Sequence, residues 1–149
     1  MPKNERLKRL SQYGGLFTRM AKVSLDECWY CGAPRETLDH CPPISSVETL
    51  DITRFKKNGG EFLLIPSCFD CNTLLGAKRL GAPNERLAYL LLKYTKITNE
   101  HFCNWEEDQI AEMGYNLKDM IYKKDKMMRE YLVKLKAIRA KMSSLNCRT

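Results

Sequence analysis

The sequence predicts an α+β chain: a small core of two short strands and a helix, stapled by cysteines, with flanking helices and a long C-terminal helix. Three observations carry this expectation. Two Cys-x-x-Cys pairs, "CWYC" at Cys28 and Cys31 and "CFDC" at Cys68 and Cys71, bracket a central region. Two short runs of strand length, "RETLDH" and "EFLLIPS", lie between or against those pairs. From Leu117 onward, apolar residues recur at alternating steps of three and four, the spacing of one helix face. With 149 residues, 44% of them hydrophobic, the chain suits one modest core.

Taken in order, residues 1–27 form a basic N-terminal helical segment, broken at Gly14-Gly15. Residues 28–81 form the stapled core. Its first pair should make a tight turn closed by Gly32, and its two strands are separated by an insert, "PPISSVETLDITRFKKNGG". Within the insert "LDITRFKK" suggests a helical turn or two, stopped at Asn58-Gly59-Gly60. "CNTLLGAKRL" should begin a helix at the second pair. Residues 82–149 form a helical extension that should pack with the core as one compact domain. It comprises "APNERLAYLLLKYTKI", with Pro83 and Asn84 near its start, then "NWEEDQIAEMG", with Asn104 as N-cap and Gly114 as stop, then the long last helix. On that last helix Leu117, Ile121, Met128, Tyr131, Leu135, Ile138, Met142 and Leu145 make a seam interrupted by Lys124. The seam buries against a helix of its own chain or joins two chains as a homodimer.

No run approaches the roughly 18 apolar residues that span a bilayer. The charged start "MPKNERLKRL" lacks the apolar stretch of a secretory signal. The expectation is a cytoplasmic chain in a reducing compartment, where two Cys-x-x-Cys pairs point to metal rather than disulfides. Four thiolates complete the tetrahedral set that Zn²⁺ favours, so Cys28, Cys31, Cys68 and Cys71 should hold one structural zinc with no open position. A rival set would recruit His40 or Cys41. A second site at His101 and Cys103 would lack two further ligands. Cys41, Cys103 and Cys147 otherwise read as small apolar residues.

The net charge of +7 is unevenly spread. Residues 1–25 hold six basic groups and one acid, residues 26–116 nine and fourteen, and residues 117–149 ten and three. Basic ends around an acidic centre suit a protein that holds a polyanion with its flanks, although a solvated lysine-rich face reads the same way.

The order Cys-x-x-Cys, Asp-His-x-x-Pro, Cys-x-x-Cys-Asn, present as "CWYC", "LDHCPP" and "CFDCN", resembles the HNH (His-Me finger, ββα-metal) endonuclease family, in the zinc-containing branch similar to phage endonuclease VII. Segments downstream look like those of HNH proteins of phage and bacteria, so the resemblance implies a bacterial or phage-infected cell. It implies a metal-dependent hydrolase of phosphodiester bonds, with DNA as the expected nucleic acid and 5′-phosphate and 3′-hydroxyl ends as products. His40 would be the general base, and Asp39 and Asn72 would hold a catalytic Mg²⁺ or Mn²⁺. The chemistry is reasonable: hydrolysis needs a base near neutral pH and hard oxygen donors for a cation. Alternation along a strand would turn Asp39 and His40 to opposite faces. Lys78, Arg79 and Arg86 should approach phosphates, and the group Lys3, Arg6, Lys8 and Arg9, with the lysines of the last helix, should hold flanking nucleic acid. Leu63 and Leu75 stand where many family members carry an Asn and a Lys. The competing reading is a catalytically inactive zinc module that binds nucleic acid or a protein partner.

Overall fold

In the computed structural model, which describes residues 2–101 and 105–147, the chain divides into two compact units, Met1–Leu90 and Leu91–Thr149. The division lies inside a helix rather than after residue 81, since Arg86, Leu87 and Leu90 are fully buried members of the first unit.

The first unit opens with α1 (Lys3–Tyr13), which ends where expected, in a single 3-10 turn at Gly14–Leu16. The short strand β1 (Thr18–Arg19) follows; two residues leave no periodicity for sequence reasoning to find. β2 (Thr37–Cys41) and β3 (Leu63–Ser67) are the two expected strands, and the sheet order is β1-β3-β2. β2 runs antiparallel to β3, with Asp39 opposite Ile65 and His40 opposite Leu64, while β1 runs parallel to β3.

The insert between β2 and β3 is more ordered than the sequence suggests. A 3-10 segment at Ile44–Thr49 precedes α2 (Ile52–Lys57). Asp51 caps α2 by accepting a hydrogen bond from the Arg54 amide at 3.1 Å. The stop is enforced sterically: Gly59 has φ 84°, and a Cβ on Gly60 would lie 2.6 Å from the Phe55 ring and carbonyl. Phe55 and Ile52 turn inward onto a cluster built on Phe17, Val47 and Phe62, which α1 also covers through Tyr13. α1 is held on the insert by an ion pair from Arg9 to Glu48 at 3.4 Å.

α3 (Phe69–Leu75) begins inside the second Cys-x-x-Cys turn. It stops at Gly76, whose φ of 52° leaves the helical region, and so is shorter than "CNTLLGAKRL" implies. α4 (Pro83–His101) starts on a proline, whose missing N–H costs nothing in a first turn.

The second unit contains the end of α4, α5 (Glu107–Ala111) and α6 (Tyr115–Asn146). The proposed cap Asn104 and the thiol of Cys103 lie outside the described residues, and the alternative of a second metal at His101 and Cys103 goes with them. Glu106 is the N-cap of α5, its amide donating to Gln109 Oε1 at 3.1 Å. Gly114, expected to stop α5, is instead the residue from which α6 starts. On α6 the seam is covered only in its later part. Met128, Leu135 and Ile138 are buried, and Tyr131 meets Tyr94 of α4 edge to face at 5.4 Å. Leu117 remains 48% exposed, and Ile121 is only half-buried. Some of the helix's basic surface is paired along its own face, Lys123 with Asp119 and Arg129 with Asp125. Among the described residues, no helix is long and apolar enough to cross a membrane.

Candidate functional site

The four cysteines of the two pairs converge. Cys28, Cys31, Cys68 and Cys71 are buried, and their sulfurs all lie within 4.8 Å of one another. Backbone hydrogen bonding shapes the cradle. Gly32, at φ 76°, donates to Cys28 O at 2.9 Å and closes the first turn, while the Trp29 amide donates to Pro66 O at 2.8 Å and ties that turn to β3. The second turn is fastened by the Phe69 amide, which donates to the Glu36 carboxylate at 2.9 Å.

The Cys31 and Cys68 sulfurs are 3.7 Å apart. A tetrahedron with about 2.3 Å from centre to sulfur has edges of about 3.8 Å, so the donor set fits a metal ion such as zinc. Four thiolates held this close repel one another unless a cation lies among them, so loss of the thiol protons and metal binding are coupled. Cys41 takes no part: it is buried, its thiol donates to Leu80 O at 3.8 Å, and burial pushes its pKa up to about 12. The rival ligand set is therefore not assembled.

Asp39 and His40 do turn to opposite faces of β2. Asp39 points inward, like Cys41, and is 3% exposed, while His40 is half-buried on the other face. Asp39 is also fully engaged. Arg86 Nη2 donates to its Oδ1 at 2.6 Å, Arg86 Nε to its Oδ2 at 2.9 Å, and the Tyr30 hydroxyl to Oδ2 at 2.5 Å. Those contacts fill three of the roughly four acceptor positions of a carboxylate. Burial alone would depress the Arg86 pKa, but Asp39 and Tyr30 more than offset it and hold the guanidinium charged. This arrangement corrects two expectations. Arg86 does not face phosphate, because it has no exposed surface and its donors are committed inside. Asp39 does not fit a catalytic cation as placed, because a second positive charge would have to enter beside the guanidinium.

Arg86 does more than pair with Asp39. Its Nη1 donates to the carbonyls of Lys78 and Leu80, at 3.5 and 3.4 Å. It therefore ties the loop after α3 to β2, and through Tyr30 to the first cysteine turn. That loop carries the expected phosphate contacts Lys78 and Arg79, both exposed, with Lys78 Nζ 5.6 Å from the Tyr89 ring centroid. Sequence reasoning placed Arg86 at the surface and missed Tyr30. The available signal was weak: an Arg one turn into an amphipathic helix, and an aromatic inside a Cys-x-x-Cys turn.

His40 is packed edge-on against Phe17, with ring centroids 4.8 Å apart. Burial lowers its pKa below the ordinary value; Asp39 opposes this, while the charges of Arg6 and Arg86 reinforce it. The imidazole is thus held neutral, able to accept a proton at pH 7. Asn72 lies half-buried on α3, directly after Cys71, and α3 packs on β2. Leu63 is the first residue of β3 and pairs with Cys41. Leu75 is fully buried beneath α3. Compared with family models, with curated proteins and with solved structures, the chain matches none, so the chemistry of this site rests on its own geometry.

Proposed function

We propose that this chain is a zinc-stapled HNH endonuclease that hydrolyses phosphodiester bonds in nucleic acid, with DNA as the expected substrate. The observation that carries this reading is the strand–strand–helix unit made by β2, β3 and α3. A four-sulfur cluster closes it, and it presents a neutral His40 on the face away from Asp39. His40 acts as general base, taking a proton from the attacking water; a lowered pKa keeps it in the accepting form at neutral pH. Lys78 and Arg79, exposed on the loop that Arg86 ties to the Asp39 side of β2, offer charge to more distant phosphates. A divalent Mg²⁺ or Mn²⁺ would supply charge neutralisation at phosphorus, with Asn72 as the remaining sequence-derived donor. Asp39 takes no part, since Arg86 holds both of its carboxylate oxygens.

That last point favours a second reading. A carboxylate held by an internal guanidinium needs no metal, which suits a module that binds nucleic acid without cutting it. One experiment separates the two. Wild type and His40→Ala, matched for zinc content, are incubated with supercoiled plasmid, branched DNA and RNA under Mg²⁺ or Mn²⁺. The nuclease reading expects cleavage by wild type alone. Absence of cleavage with any of these substrates and metals, alongside retained binding, would leave the binding module.

A further inference from the structure

The insert between β2 and β3 lies on the side of His40. A chain of ring contacts fixes its place. His40 meets Phe17 at 4.8 Å, Phe17 meets Phe62 at 5.4 Å, and Phe62 meets Phe55 of α2 at 5.1 Å. Lys56 leans back over this chain, its Nζ 5.8 Å from the Phe62 centroid. Arg54, Lys56 and Lys57 are all exposed, and α2 itself contains no acid. Of the acids nearest in sequence, Asp51 caps α2 and Glu48 is paired with Arg9, which leaves the exposed Glu61 as the one carboxylate set against three bases. Arg6 lies one helical turn before Arg9 on α1, on the face that the Arg9–Glu48 pair and Tyr13 dock against the insert. The cysteine turns are the opposite case, carrying Asp26, Glu27, Glu36 and Asp70 against Arg35.

We propose that α2, through Arg54, Lys56 and Lys57, and α1, through Arg6, form a basic rim that grips the phosphates of a nucleic-acid strand lying across the His40 face. The inference deepens the reading above, since it rests on this chain engaging nucleic acid, but it does not require cleavage. Three ring-to-ring steps of about 5 Å cover the reach of roughly four nucleotides at 3.4 Å of axis each. The rim therefore holds the strand within a few phosphates of His40. A bent, jointed insert serves this purpose better than a short hairpin, because the Phe55 anchor fixes the helix while its charges stay in water.

Binding of a labelled duplex and a labelled single strand is measured by anisotropy across a salt series, with zinc-loaded full-length protein and no added Mg²⁺. The variants are R54Q/K56Q/K57Q, Arg6→Gln, and Arg35→Gln as a control on the acidic end. The triple variant should bind roughly 10- to 100-fold more weakly, and its slope of log affinity against log salt should shrink by about 2 to 3. Arg6→Gln should shrink the slope by about 1, and Arg35→Gln should change neither quantity. Circular dichroism and zinc content identify any loss due to misfolding; should the triple variant misfold, the single variants Arg54→Gln and Lys57→Gln replace it. Wild type that binds while the folded triple variant binds within twofold of it overturns the rim and leaves the functional reading standing. Wild type that binds neither ligand overturns both. Binding that depends on the rim, without cleavage under any metal, upholds the rim and removes only the nuclease.

Discussion

Replacing Arg86 by Met tests the central claim about the buried ion pair. The substitution keeps most of the aliphatic volume but leaves the Asp39 carboxylate, 3% exposed, with Tyr30 as its remaining side-chain partner. Removing one partner of a buried pair costs about 3–5 kcal/mol, because the other charge stays desolvated and uncompensated. Two loop carbonyls, of Lys78 and Leu80, also lose their donor. Against a total stability of about 5–15 kcal/mol, this is about a fifth or more. With a urea slope of about 2 kcal/mol per molar, the midpoint should fall by about 1.5–2.5 M. The assay is urea unfolding at fixed free zinc, followed by circular dichroism and Trp fluorescence. Asp39→Asn should cost a similar amount by stranding the guanidinium. The double variant R86M/D39N should be much less than additive, with a coupling of about 2 kcal/mol or more. A cost under about 1 kcal/mol for Arg86→Met, or strict additivity in the double variant, would refute the clamp.

Other outcomes follow from the same structure. Stripping the metal with a chelator should unfold the first unit, since the binding energy of a closed site is folding energy; a chain that keeps its fold without zinc contradicts this. His40 favours folding in its neutral form, so its contribution to stability is present above an ordinary pKa of about 6.5 and is lost as pH falls through the lower folded value. The urea midpoint of wild type should therefore fall relative to that of His40→Gln as pH drops below about 6.5, and the acid limb of any cleavage profile should lie below that pH too. Gly60→Ala should cost about 1–3 kcal/mol by pushing the Phe55 ring and carbonyl, and with them α2, away from residue 60, measurable as a lower melting temperature with the zinc retained. Sedimentation should show a monomer at micromolar concentrations, because Tyr131 already meets Tyr94 of its own chain; a stable dimer would instead make the seam an interface between two chains.

What could be read beforehand was whatever leaves a local pattern. The cysteine spacing gave the four-sulfur cluster, the two strands follow from their apolar runs, and the breaks at Gly14-Gly15 and Asn58-Gly59-Gly60 follow from backbone freedom. Alternation along β2 correctly separated Asp39 from His40. The misses are all decided over distance. Arg86 lies 47 residues from Asp39, and nothing local says that its charge turns inward. The strand β1 exists only because β3 offers it a partner. Gly114 looks like a helix stop, yet stops and starts share the same residue types, and here the following helix claims it. The seam on α6 is continuous in sequence but only partly covered, since periodicity reports a face without reporting its partner.

The Arg86 clamp also limits which neighbouring sequences are open to this chain. A lysine at position 86 keeps the charge but not the planar fork that reaches two carboxylate oxygens and two loop carbonyls together. Positions 39 and 86 are therefore bound to change as a pair, and the loop between α3 and α4 is bound to keep its length, because its carbonyls must still meet the same guanidinium. Drift that is harmless elsewhere on α4 becomes a two-step path here, through an intermediate with one stranded charge. Related chains should differ freely at Lys78 and Arg79 while holding the arginine beneath them fixed.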